Sequence, residues 1–200
     1  MSHNTWIHKV ARVCIVRPLL ATSVTPNQLT AVRLALGLAA AGTIAFGSSD
    51  VAGILFVISM VFDRADGDLA RLGGCVSPSG HLYDLLADSI CNALIFISLG
   101  FGLRFGIYGH WATGMGILAG FSIASVLFLV LRIEASLGPR AAELDSFSYV
   151  DFDDAMLAVP LALWFGLAEQ LLVAAAIGAP LFTLYFFWKF RQQVSGTQPD

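Results

Sequence analysis

The sequence predicts an all-α integral membrane protein, with six transmembrane helices preceded by a juxtamembrane amphipathic helix. Three observations predict it. Hydrophobic residues fill 57% of the 200 positions and charged residues only 12%, against roughly 45–50% and 25% in ordinary soluble domains. Long uncharged runs recur along the chain, and most of the charge gathers at their ends. Cys14, Cys75 and Cys91 form no paired framework and no metal-ligand spacing, so small apolar packing is the role expected for them. This composition sets aside a disordered chain, a secreted disulfide scaffold and a basic nucleic-acid module. Membrane lipids are expected partners and nucleic acid is not.

The elements follow in chain order. Trp6, Val10 and Val13 share a helical face beside Lys9, Arg12 and Arg17, which predicts a helix lying on an anionic membrane surface; a solvated tail is the plainer reading. Residues 1–17 lack the apolar core and small-residue cleavage pattern of a signal peptide, so none is expected. Thr25-Pro26-Asn27-Gln28 reads as a helix start, with Thr as N-cap, Pro at the first helical position and Gln completing a capping box. The first span then runs to about Ser49, interrupted only by Arg33. Val51 to Phe62 is apolar for twelve residues before Asp63 opens a polar end. Ser89 to Leu103 mirrors it, with its polar end at Asp84 and Asp88, and the Gly- and Ser-bearing connection Gly73 to Gly80 joins the two as a helical hairpin.

Trp111 to Leu131 contains no charge and has the roughly 20 residues that a hydrocarbon core requires. Ala155 to Leu167 holds Pro160 and spans only if flanking residues join it. Leu171 to Trp188 is again uncharged, with Gly178 and Pro180 inside, residues that membrane helices tolerate when neighbours re-satisfy the backbone. With the N-terminus inside, ten of the eleven Lys and Arg fall at or near cytoplasmic ends, Arg104 being the exception. The positive-inside rule therefore puts both termini and the acidic hairpin in the cytoplasm. The expected organisation is a juxtamembrane segment at 1–24, one six-helix domain at 25–190 and a cytoplasmic tail at 191–200.

The chemistry is concentrated in the hairpin. Asp63, Asp66, Gly67, Ala70 and Arg71 stand at i, i+3, i+4, i+7 and i+8, on one side of a helix, and Asp68 points away. On the next helix Gly80, Asp84 and Asp88 are four apart and share a face. Two carboxylates from each helix thus converge beside small residues, an arrangement that repels itself unless cations lie between them. Carboxylates are hard ligands suited to Mg²⁺ or Mn²⁺, and no Cys or His pair stands near for zinc. Two such ions can clamp a pyrophosphate and stabilise both oxygens of an in-line displacement. Arg71 adds a fork for phosphate, or else a plain inside anchor.

Asp63-x2-Asp66-Gly67-x2-Ala70-Arg71-x8-Gly80-x3-Asp84-x3-Asp88 matches every fixed position of the CDP-alcohol phosphotransferase signature, and the chain resembles that family over about residues 25–190. The resemblance implies transfer of a phospho-alcohol group, phosphatidyl in the reading adopted, from a CDP-linked donor to an acceptor alcohol, with release of CMP, in phospholipid biosynthesis. It implies that Asp63, Asp66, Asp84 and Asp88 hold two Mg²⁺ or Mn²⁺ ions and that Asp88 is also the base. It further implies nucleotide contacts from Gly67 and Arg71, with Ser77 and Asn27 in segments that also reach the nucleotide, and a homodimer. His81 stands at a variable position of the motif and carries no family role.

Arg132-Ile133-Glu134-Ala135-Ser136-Leu137-Gly138 resembles the Arg-x-Glu segment of bacterial members that use a phosphorylated acceptor, such as glycerol phosphate or inositol phosphate. Arg132 and Arg140 are accordingly candidate acceptor ligands, with positive-inside anchors as the alternative. The acidic stretch Asp151-Phe152-Asp153-Asp154 would repel such an acceptor if it folded over the same opening. A cation transporter using intramembrane aspartates is the competing function, but it predicts acids spread through the midplane rather than gathered at one face.

Overall fold

A computed structural model of the chain describes residues 11–137 and 156–195, and every regular element among them is helical. Helix α1 is a π-helical turn, Arg12–Val16, running into a helical turn, Arg17–Leu19. Then come α2 (Pro26–Ala45), α3 (Ser49–Leu72), α4 (Pro78–Gly102), α5 (His110–Leu137), α6 (Ala158–Trp164) and α7 (Ala168–Ser195). Among the described residues, four segments are long and apolar enough to cross a membrane: Pro26–Ala45, Pro78–Phe105, His110–Ala135 and Ala168–Lys189. The chain is a multi-pass membrane protein.

The other two expected spans do not reach that standard. Helix α3 has 24 residues, roughly 36 Å at about 1.5 Å per residue, yet Asp63, Arg64, Asp66, Asp68 and Arg71 dilute its apolar character. Helix α6 has seven residues, roughly 10 Å, too little to cross a core of about 30 Å. It packs against α3 and α7, and Trp164 Nε1 donates to the Asp50 carbonyl at the start of α3 at 3.4 Å.

The bundle is held by close backbone approach at the helix crossings together with a core of large side chains that includes Phe56, Ile95, Phe96, Leu99 and Leu172. The buried stripe of α2 includes Leu29, Thr30, Arg33, Gly37, Ala40, Ala41 and Ile44, a helical spacing of mostly small residues against α3 and α4. A Cβ on Gly37 would run into Cys91 Sγ, so glycine leaves room there for Cys91, which fills the packing role expected of it. Between α4 and α5 it is backbone that meets backbone, since a Cβ on Gly100 would meet the Gly116 Cα at 2.9 Å and one on Gly120 the Ala93 carbonyl at 2.7 Å. Small residues at such crossings are how membrane helices gain van der Waals contact without a hydrophobic driving force. Thr183 Oγ1 donates to the Ser122 carbonyl at 3.0 Å and ties α7 to α5.

The expected start of the first span is present. Thr25 is extended at φ −94° and ψ 152°, both halves of the capping box with Gln28 form, and Pro26 opens the helix. In α1 the buried face is Ala11 and Val16, which join Leu29, Ala65 and Leu69, whereas Val13 is 53% exposed. Trp6, Lys9 and Val10 of the expected amphipathic face lie outside the described residues, as do Arg140 and Asp151 to Asp154.

Candidate active site

Helices α3 and α4 form the acidic hairpin read from the sequence, and α2 packs against both. Ser77 caps α4: its hydroxyl accepts from the Gly80 N–H at 3.1 Å, with Pro78 at the first helical position. This fixes where α4 begins and therefore which face carries Asp84 and Asp88. One ligand atom from each of Asp63, Asp84 and Asp88 falls in a group whose members all lie within 4.8 Å of one another. Asp66 sits one turn beyond Asp63 and is held separately. Its Oδ2 accepts from Thr30 Oγ1 at 2.7 Å, and the residue is 3% exposed.

Beside Asp66 and Asp84 opens a cavity of about 90 Å³, whose wall includes Asn27, Thr30, Gly67, Arg71, Ser77, Gly80 and His81. The four residues singled out as nucleotide contacts, Asn27, Gly67, Arg71 and Ser77, therefore line one space. Glycine keeps it open: a Cβ on Gly80 would stand 3.0 Å from Ser77 Oγ and 3.2 Å from Asn27 Oδ1, and one on Gly67 3.3 Å from the Arg71 guanidinium. Arg71 is anchored from behind, since its Nη2 donates to Asp68 Oδ1 at 2.8 Å. Asp68 points away from the cavity, as its spacing predicts, and its other oxygen accepts from Arg12 Nε at 3.2 Å.

Three features of the site were missed in the sequence. Arg33, read there as an inside-end charge, is 4% exposed and lies among the aspartates, with its Nε 2.9 Å from Asp63 Oδ1 and its Nη2 paired with Asp88 Oδ1. Thr30 supports Asp66, and Arg12 supports Asp68. A signal for the first two existed: Thr30, Arg33 and Gly37 follow Pro26 at spacings of three and four, one face of a helix. His81 also has a contact that its variable position did not suggest, with Nε2 3.1 Å from Glu134 Oε1 on α5. Arg132 is exposed, and its guanidinium stands 5.2 Å from the centroid of the Phe128 ring; it is not part of the cavity wall.

A model of the CDP-alcohol phosphatidyltransferase family matches residues 23–185. The chain belongs to that family. It is 35% identical over 122 residues to the bifunctional IPC transferase and DIPP synthase of Rubrobacter xylanophilus, a match covering 60% of this chain and 27% of that protein. It is 32% identical over 86 residues to the archaetidylinositol phosphate synthase of Pyrococcus horikoshii, covering 43% and 46%. A bifunctional IPC transferase and DIPP synthase from Thermococcus kodakarensis is 41% identical over 73 residues, covering 36% and 17%. The chain thus spans less than half the length of each of these relatives.

CDP-alcohol phosphatidyltransferases are generally metal-dependent, and the residues present fit that requirement. Asp63, Asp84 and Asp88 offer three hard oxygen donors close enough to share an ion, the donor type that Mg²⁺ and Mn²⁺ prefer.

Proposed function

We propose that the chain transfers a phospho-alcohol group, phosphatidyl in the simplest case, from a CDP-linked donor to an acceptor alcohol and releases CMP, as a step of phospholipid synthesis. The observation that carries the reading is the meeting of the Asp63, Asp84 and Asp88 group with the cavity bounded by Asn27, Gly67, Arg71 and Ser77. The cytidine diphosphate part of the donor occupies that cavity, with its phosphates toward the carboxylates. Asp66 completes the ligand set for a second ion. Asp63, Asp66, Asp84 and Asp88 would hold the divalent ions, which would supply charge neutralisation for the diphosphate during the displacement. The acceptor oxygen forms a new bond to the phosphorus that bears the donor's alcohol. The bond from that phosphorus to the oxygen of CMP breaks, and Asp88 takes the hydroxyl proton. Arg71, held in direction by Asp68, presents its fork to phosphate.

The acceptor in this reading is a phosphorylated alcohol. The Arg132-x-Glu134 segment supports it, and so does the name of the Pyrococcus horikoshii relative, an archaetidylinositol phosphate synthase. Arg132 and Arg140 are its proposed ligands. The same reading gives six crossings, with α3 and an extended α6 completing the set, a cytoplasmic active site and cytoplasmic termini, and a homodimer. Family membership favours transfer over cation transport.

The test is incubation of purified protein with labelled CDP-diacylglycerol and Mg²⁺ against a panel of acceptors, with CMP release as the readout. Acceptor-dependent CMP, greatest with a phosphorylated alcohol and with a raised acceptor KM in Arg132→Ala or Arg140→Ala, supports the reading. No CMP with any acceptor or CDP-alcohol donor would sink it, and efficient use of an uncharged alcohol untouched by either substitution removes the acceptor assignment.

A further inference from the structure

Arg33 lies midway along α2, a helix apolar enough to cross a membrane, and is 4% exposed. A guanidinium so buried is costly unless it is paired and hydrogen-bonded. Its ionic partners are Asp63, whose Oδ1 lies 2.9 Å from Nε without hydrogen-bond geometry, and Asp88, which accepts from Nη2, two of the three carboxylates grouped as metal ligands; Nε and Nη1 have no hydrogen-bond partner among the described residues. A cavity of about 20 Å³, separate from the nucleotide cavity, has Arg33, Ser59, Asp63, Asp88 and Asn92 in its wall. The backbone that carries Arg33 is fixed in place. Ser59 Oγ donates to the Arg33 carbonyl at 3.0 Å, and Gly37, one turn on, is packed against Cys91. These contacts hold the backbone of Arg33, so a shift is expected first at the end of its side chain.

We propose that Arg33 is the built-in counter-cation of the acidic site, a positioning residue that holds Asp63 and Asp88 together when no divalent ion is bound and competes with the ion for their oxygens. The four carboxylates at 63, 66, 84 and 88 exceed one guanidinium by three formal charges, so the site keeps its attraction for divalent cations. An ion that takes Asp63 Oδ1 or Asp88 Oδ1 must nevertheless displace the guanidinium from that oxygen. Metal affinity is thereby set below what the aspartates alone would give, and the empty site is spared the repulsion of bare acids in a poorly solvated place. The proposal rests on the metal reading of the preceding section.

The experiment is titration of detergent-purified protein with Mn²⁺, followed by the paramagnetic resonance of the free ion, together with thermal unfolding in chelator and in saturating Mn²⁺. Arg33→Gln should bind Mn²⁺ at least about tenfold more tightly than wild type, about 1.4 kcal/mol. It should also melt at a lower temperature in chelator, so that the gap in Tm between the two conditions widens. Because Arg33→Gln could fail to fold without metal, Arg33→Lys is measured in parallel. Its compact ammonium lacks the planar, directed fork of the guanidinium and holds the two carboxylates less well, so its affinity should fall between those of wild type and Arg33→Gln, or above wild type if only the lysine variant folds. Wild type that binds Mn²⁺ no less tightly than the folded variants overturns the proposal and leaves the metal reading standing. Wild type that binds no Mn²⁺ overturns both.

Discussion

His81 Nε2 lies 3.1 Å from Glu134 Oε1 and joins the first turn of α4 to the last turns of α5 across 53 residues of chain. His81 also lines the cavity beside Asp66 and Asp84, so the contact ties the end of α5 that carries Arg132 to the wall of the proposed donor site. A partly exposed hydrogen bond of this kind contributes roughly 0.5–1.5 kcal/mol. His81→Ala and Glu134→Ala should each lower Tm by a few degrees at about 2–4 °C per kcal/mol. The double substitution should cost little more than either single one. Thermal unfolding of the four proteins checks this, and strictly additive losses would show that the pair is not coupled.

Asp63→Asn and Asp84→Asn each remove a charged ligand without changing side-chain size. Both variants should assemble in the membrane and lose at least about a hundredfold in turnover, the scale of a few kcal/mol of transition-state charge stabilisation. Chelation should do the same to wild type. Near-normal turnover of either variant in saturating Mg²⁺ contradicts the assignment.

Asp88→Asn separates chemistry from binding. Turnover should fall by orders of magnitude while binding of the CDP-linked donor stays detectable by equilibrium dialysis, because the nucleotide cavity draws on Asn27, Gly67, Arg71 and Ser77 rather than on Asp88. A small rate loss with an unchanged pH profile argues against Asp88 as the base.

Gly37→Ala tests the packing that sets α2 beside α4. The added methyl meets Cys91 Sγ, and overpacking of this kind costs about 1–3 kcal/mol. A lower Tm is expected, with part of the loss restored in Gly37→Ala/Cys91→Ala. If the second change restores nothing, the clash lies elsewhere.

Labelling tests both topology and donor placement. Cys75 is exposed in the connection between α3 and α4 and lies in the wall of the nucleotide cavity, whereas Cys91 is buried. In a Cys14→Ser background, a membrane-impermeant maleimide should reach Cys75 from the cytoplasmic face, and a CDP-alcohol with Mg²⁺ should slow the reaction. Labelling from the opposite face would reverse the orientation derived from the Lys and Arg distribution.

Much of this site was legible in the residues alone, because its main elements follow helical periodicity. Spacing of three and four placed the aspartates on facing surfaces of two helices and turned Asp68 outward, and Thr25 with Gln28 marked the start of α2. What spacing does not encode is the partner across a helix crossing. Arg33 read as an end-of-span charge because its pairing with Asp63 and Asp88 depends on how α2 lies over the hairpin. The separation of Asp66 from the other three carboxylates likewise comes from Thr30 on another helix. Hydropathy also gave unequal guidance: it marked four helices plainly, while α3 combines an apolar half with the most charged stretch of the bundle and α6 is cut to seven residues.

Asp66 and Asp68 face opposite ways on the same turn of α3, one against Thr30 and the other against Arg12 and Arg71. The helix is therefore keyed on two sides, like a shaft fitted to two slots. Deleting or inserting one residue between Asp63 and Asp66 would rotate everything beyond it by about 100°, pulling both carboxylates from their slots at once. Substitutions around these aspartates change one contact at a time, but a change of length changes them all, so this stretch should tolerate exchange of residues far better than any gain or loss of one.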